Sequence, residues 1–231
     1  MEEIEQMLRD TDMLFIAGGL GGGTCSGASP VVAEIAKNLG ALTLAVVTMP
    51  FSFEGANRME IAQNSLKRLK PRVDTLIAIS NNKLLSILES KTTVLNAFWF
   101  CDDILRQAVQ GISDLIVLPG IINIDFADIK AIMKDSGSAL FGIGKAKGVE
   151  RAKEAARKAL NSPLLDLSSK GAKGVLFNVS GGKDISLSEI DEAAKVITGE
   201  VSSEAKVIFG AIQDEKLNKG EIKITVIATG F

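Results

Sequence analysis

A chain of 231 residues, 46% of them hydrophobic and with a formal charge of −2, can bury one large core or two small ones, and it carries no basic block of the kind that binds nucleic acid. It contains no histidine, which removes His-dependent triads and most zinc catalysis, and its two cysteines, Cys25 and Cys101, have no ligand spacing, so a reducing cytoplasm is the expected setting. The acidic, helically patterned start MEEIEQMLRDTD is unlike a targeting peptide, and charges or prolines interrupt every apolar stretch before it reaches membrane-spanning length.

Residues 13–17, 41–48 and 73–79 are apolar runs without alternation, the pattern of strands buried on both faces of a parallel sheet. Between them, Val32, Ile35, Ala36 and Leu39 form one stripe of a helix over 30–39 that Gly40 stops, and a second helix over 57–70 halts at Pro71. The resulting βαβαβ order is that of a wound α/β domain. A long helix follows over 93–117, with Phe98, Cys101, Leu105, Ala108, Ile112 and Ile116 spaced by three and four. At 1.5 Å per residue it is on the order of 36 Å long, enough to join two domains. LPGIINIDFAD breaks it.

The second half predicts strands over 138–143, 174–180, 205–212 and 221–229, and helices over 127–134, 148–160 and 186–198, the last opened by a capping box at Ser186–Glu189. In the final strand Ile222, Ile224 and Val226 alternate with Lys223 and Thr225, so one face is expected to be wet. The expected fold class is therefore α/β. A partial wound parallel sheet occupies 1–92, a central connecting helix 93–119, and an α+β domain with a mixed sheet 120–231.

The stretch GGLGGGTCSGASP at 18–30 lies between a strand and a helix, the layout of a phosphate cradle. A helix dipole contributes only about 0.3–1 kcal/mol, so converging backbone N–H groups must do most of the binding. No Lys follows the glycines as a P-loop requires, and the dinucleotide fingerprint fails at Thr24 and Ser26. A plain strand–helix turn would leave so many glycines, each costly in folding entropy, without a purpose.

GGGTCSG resembles the GGGTG[ST]G signature of the tubulin/FtsZ GTPase family. VVTMPFSFEGANRM, IAISNNKLL, LRQAVQGISDLI, NIDFADIK, SALFGIGKA and ATGF follow in the family's order, so the resemblance runs from about residue 10 to 231. It implies that Gly19, Gly22, Gly23 and Thr24 wrap the phosphates of GTP or GDP, together with Cys25, where the family has another glycine. A cysteine is tolerated there if the residue is αR and offers only its N–H. It weakens the site if φ must be positive or if the phosphate lies against its Cα. As a thiol at a helix start Cys25 is either modifiable or simply a small packed side chain.

The same resemblance places Glu54 and Arg58 at the ribose and phosphates, although four residues apart they also read as an ordinary surface pair. It assigns Asn81 to the ribose or base, at the carboxyl end of a strand where wound sheets bind ligands. Phe98 would stack on guanine, if it is not core packing. Asp102 would accept from the N1–H and N2–H₂ donors that separate guanine from adenine. Trp99 and Phe100 beside them are bulkier than the family's usual residues.

Asn123, Asp125 and Asp128 match the family's synergy loop, which docks on the nucleotide of the next subunit in a head-to-tail filament and polarises the attacking water, with Mg²⁺ or a monovalent cation implied at that interface. Asp125 alone would also serve as a helix N-cap. The implied protein is a cytoplasmic GTPase of bacterial cell division that polymerises with itself and binds division proteins at the membrane, without nucleic acid or membrane insertion. In the family more of the nucleotide domain precedes the point where this chain begins, and a partner-binding tail follows its end, so a fragment or a reading frame begun at an internal Met is expected. Two readings stay open: a polymerising GTPase, and a non-hydrolysing fragment that binds or caps filaments without GTP.

Overall fold

The computed structural model describes residues 1–85, 88, 91–162, 171–214 and 217–231. The helices are α1 Glu2–Leu8, α2 Gly23–Asn38, α3 Ala56–Leu69, α4 Asn81–Leu85, α5 Val94–Val117, α6 Phe126–Met133, α7 Arg151–Leu160 and α8 Leu187–Gly199. The strands are β1 Met13–Gly19, β2 Leu42–Met49, β3 Thr75–Ser80, β4 Gly137–Lys147, β5 Gly174–Gly181, β6 Lys206–Gln213 and β7 Glu221–Thr229. They fall into two compact units: Met1–Val109 with Met133–Ala139, and Gln110–Ile132 with Leu140–Phe231.

In the first unit β1, β2, β3 and the first residues of β4 pair in that order, all parallel. β2 lies between two neighbours and is buried from Leu42 to Thr48, which is why its sequence does not alternate. β1 stands at the edge of the order and is half-exposed along its length, although its run is as apolar as that of a covered strand. Ala33 of α2 and Ala62 and Leu69 of α3 close a core with Ala45, Val47, Val73 and Leu76.

Helix α2 starts at Gly23, seven residues ahead of the expected stripe, and carries Pro30 in its interior. Proline lacks the N–H that would bond the carbonyl of Ser26 four residues back. That carbonyl instead accepts from Ser65 Oγ at 3.0 Å and Arg68 Nη2 at 2.9 Å, both on α3. The helix runs through its proline because a neighbouring helix supplies the missing donors.

In the second unit β5 pairs in parallel with β6 and antiparallel with β7, and every residue of β5 is buried. The expected alternation of β7 holds only as far as Lys223. Thr225 is buried, because Gly111 of α5 lies over it: a Cβ on Gly111 would stand 3.1 Å from Thr225 Cγ2. Ala152, Ala155, Ala156 and Ala159 lay α7 against the sheet with Ile190, Ala193 and Ile197 of α8.

The Ser186 capping box forms as expected, and Glu189 has a second task. Arg151, buried at the start of α7, bonds Glu189 Oε1 at 2.6 Å and Asp184 Oδ2 at 2.7 Å. Hydrogen bonding to Arg151 holds both carboxyls below the usual carboxylate range. A depressed folded pKa gives stability that is present above the unfolded value, about 4, and lost as pH falls through the folded one. Thermal melts of the wild type are therefore expected to drop steeply below about pH 4. Arg151→Met should melt lower at neutral pH and respond less to acid; an unchanged acid slope would show that the cluster contributes nothing.

Candidate functional site

The carboxyl ends of β1, β2 and β3 are each followed by residues expected in the site. After β1, Gly21 takes a φ of +103°, and a Cβ there would stand 3.0 Å from Arg58 O, so only glycine fits. The Gly21 N–H donates to Ser26 Oγ at 2.9 Å, which draws the loop onto the first turn of α2. Gly22 is the extended N-cap of α2 and supplies no side-chain cap. The N–H groups of the first turn thus keep the donor capacity that helix starts offer to anions. Open space surrounds the position of a Cβ on Gly22 or Gly23, and Gly23 and Thr24 are exposed.

Cys25 sits inside α2 and has no positive φ. Its Sγ lies 3.2 Å from Ser29 Oγ and fills the space that Gly18 leaves, 2.8 Å from where a Gly18 Cβ would be. Of the two sequence alternatives, the helical one holds: the side chain packs on β1 while its backbone continues the helix.

After β2 the chain turns through Ser52–Glu54. Glu54 Oε1 accepts from the Phe51 N–H at 2.8 Å, and Oε2 pairs with Arg58 Nη1 at 2.6 Å. The carboxylate is half-buried and the guanidinium exposed, so Glu54 orients Arg58 rather than facing solvent itself. Phe51 is fully buried and stacks on Phe53 with centroids 4.9 Å apart, while Phe98 meets both rings edge-on at 5.3 and 6.4 Å.

After β3, Asn82 Oδ1 accepts from the Ser52 N–H at 2.9 Å and ties this loop to the previous one. Asn81 is buried, and its Oδ1 has no hydrogen-bond partner. A buried orphan acceptor costs about 1–3 kcal/mol, which a ligand donor would relieve. On α5, Asp102 is exposed one turn beyond Phe98, and Cys101 behind it is buried. Desolvation, aided by Asp102 and Glu54, pushes the Cys101 thiol up to about 11, so it stays protonated and inert.

Asn123, Asp125 and Asp128 belong to the second unit. Ile121 and Ile122 pair with Ala211 of β6, and Ile124 is buried against Gly210, which anchors the loop. Asn123 Oδ1 accepts from the Gly120 N–H at 2.7 Å, and Asp125 Oδ1 accepts a long bond from the Ala127 N–H at 3.4 Å as α6 begins. All three polar residues are exposed. Among the described residues no cluster of three or more His, Cys, Asp or Glu is arranged for a metal, and no helix is long and apolar enough to cross a membrane. A cavity of about 560 Å³ in the second unit, lined by Lys183, Asp184, Gln213, Asp214, Leu217 and Lys219, contains none of these residues.

Sequence reasoning missed the supporting residues: Phe51, Phe53, Asn82, Ser65 and Arg68. The first three lie within the motif phrases, but nothing in their spacing tells which side chains will hold which. For the last two, the one local signal was Pro30, which frees a carbonyl that something must satisfy.

Two family models match the chain: the GTPase domain of the Tubulin/FtsZ family over residues 1–89, and the C-terminal domain of the FtsZ family over residues 137–231. The fold is similar to that of an empty FtsZ dimer from M. jannaschii, with 46% identity, a TM-score of 0.95, and coverage of 99% of this chain and 66% of that one. A point mutant of FtsZ from the same archaeon matches at 46% identity and a TM-score of 0.95, covering 99% and 68%. CetZ1 from Haloferax volcanii, a GDP-bound monomer, shares the fold at 21% identity and a TM-score of 0.77, covering 96% and 66%. The chain thus spans about two thirds of the solved chains it resembles.

Proposed function

Because this chain belongs to the tubulin/FtsZ family, we propose that it binds GTP at the carboxyl ends of β1–β3 and hydrolyses it at a junction between copies, as a cytoplasmic, filament-forming protein of cell division. The observation that carries the reading is the orphan acceptor on buried Asn81, in the same unit as an uncapped helix start beside open Gly22 and Gly23 and a guanidinium held from behind by Glu54.

In this reading the N–H groups from Gly22 to Cys25 hold the phosphates, with Gly19 at the entrance and Thr24 adding its hydroxyl. Arg58 adds charge at the phosphate end. Asn81 Oδ1 accepts from the sugar or base, Phe98 stacks on guanine, and the Asp102 carboxylate accepts from N1–H and N2–H₂. Adenine offers no such pair of donors, so Asp102 is the selective element. Asp125 and Asp128, exposed on an anchored loop, orient a water and take its proton at the nucleotide of the next copy, and Asn123 holds the loop's shape. A Mg²⁺ or monovalent cation at that junction would offset phosphate charge. A head-to-tail contact of this kind does not close, so it produces filaments. Division proteins at the membrane would be met through parts of the longer family protein.

Equilibrium dialysis of the folded 231-residue chain with GTP, and with ATP as the control, tests the reading. Selective retention of GTP is expected, followed by GTP-dependent sedimentation. A well-folded chain that retains neither nucleotide would overturn it in favour of a filament-capping fragment, which would reduce the pelleting of a longer relative without pelleting by itself.

A further inference from the structure

We propose that Ser26 is the positioning residue of the phosphate loop: from inside α2 it fixes the glycine turn, so that the N–H groups of the first helical turn stay free for an anion. The proposal rests on the nucleotide reading of this site. It adds a residue that acts on the nucleotide through the loop rather than by contact, since Ser26 is only 2% exposed.

An ordinary cap sits at the N-cap itself, where a Ser, Thr, Asp or Asn oxygen takes the N–H of the second or third helical residue. Such a cap consumes donors that an anion would use. Here the N-cap is Gly22, which has no side chain to offer. The hydroxyl that orders the turn belongs to Ser26, the fourth residue of α2, and it accepts at 2.9 Å from Gly21, one residue outside the N-cap. This is the returning half of a capping box, widened by one residue at each end. The donor it uses, the N–H of buried Gly21, lies ahead of the helix. The bond therefore orders the loop without taking any N–H from Gly22 to Cys25.

Ser26 can hold the turn only if it is held itself. Pro30 denies the Ser26 carbonyl its helical donor, and α3 supplies two others, Ser65 Oγ at 3.0 Å and Arg68 Nη2 at 2.9 Å. The same helix closes the far side of the turn. Gly21 takes a φ of +103°, and a Cβ on it would stand 3.0 Å from Arg58 O. Gly21 is thus fixed between Ser26 and the start of α3, which keeps the open helix start and the Arg58 residue at a set spacing. A diphosphate gains from donors and a guanidinium held in place, whereas a nucleoside without phosphate gains from neither.

Affinity for GDP by equilibrium dialysis, and for guanosine by competition with labelled GDP, should be compared in the folded wild type, Ser26→Ala and Ser65→Ala. Ser26→Ala should weaken GDP about tenfold, the scale of ordering one backbone residue on binding, and leave guanosine unchanged. Ser65→Ala removes a donor from the same buried network while Arg68 still holds the carbonyl. It should lower the thermal melt and bind GDP as the wild type does. Hydrogen exchange of residues 18–25 in nucleotide-free protein should be faster in Ser26→Ala and unchanged in Ser65→Ala. If Ser26→Ala does not fold, Ser26→Cys keeps the side-chain volume with only a weak acceptor, and the same results are expected of it. Equal weakening of GDP and guanosine, undiminished GDP affinity, or unchanged exchange in the Ser26 variant overturns the proposal and leaves the nucleotide reading standing. A folded wild type that retains no GDP removes the nucleotide reading, and this inference with it.

Discussion

Asp125→Ala is expected to lower GTP turnover by roughly 10²–10⁴-fold, the usual contribution of a positioned acid–base group, while GTP binding stays intact. The two effects separate because they reside in different units. Asp125 is exposed in the second unit, and its side chain accepts one long bond among the described residues, at 3.4 Å from the Ala127 N–H, so its loss should cost stability only about 0.5–1 kcal/mol. Every residue proposed to touch the nucleotide within one copy lies in the first unit and is left unchanged. Phosphate release and dialysis on the same preparation measure both quantities.

Mixing provides a sharper check. Asp125→Ala subunits keep a whole nucleotide site, and Arg58→Ala subunits keep a whole loop. If the reacting centre is shared between copies, the mixture should turn over faster than either variant alone. No gain on mixing, or unchanged turnover in Asp125→Ala, would remove this loop from the chemistry.

The largest stability effect is expected at Gly144. A Cβ there would stand 2.0 Å from Ala155 O and 2.6 Å from Ala159 N, both backbone atoms of α7. No rotamer change relieves a clash with backbone, so Gly144→Ala must push α7 off β4 and open the alanine layer beneath it. A loss of about 3 kcal/mol or more is expected, the upper end of overpacking, read as a lower urea midpoint or loss of soluble protein. Gly27→Ala is the control. It lies in helix α2, where its Cβ would enter open space, and a gain of about 0.5–1 kcal/mol is expected from helix propensity. Equal stability of the two variants would mean that β4 and α7 separate at little cost.

Much of this molecule was legible before its structure. Apolar runs without alternation marked β1, β2 and β3, and the three-and-four spacing marked α5, which begins within one residue of the expected start. These signals are local, because a backbone period is written into neighbouring residues. Most residues proposed for the site stand at or after strand ends or within motif phrases, where the amino-acid sequence singles them out, whereas Phe98 and Asp102 are marked only by their four-residue spacing at the start of the long helix.

Where the expectations fell short, the deciding atom lay far along the chain. The early start of α2 depends on Ser65 and Arg68, which satisfy the carbonyl that Pro30 leaves free from 39 and 42 residues beyond Ser26. Thr225 is dry because Gly111 lies over it, and Cys25 fits because Gly18 leaves room for its sulfur. The amino-acid sequence by itself determined the elements, their order and the chemical groups available to a nucleotide, through local periodicity and residue type. Only the tertiary structure decided which of those groups are held from behind, as Arg58 is by Glu54, and which are left unsatisfied, as Asn81 Oδ1 is, because that depends on partners brought together by packing.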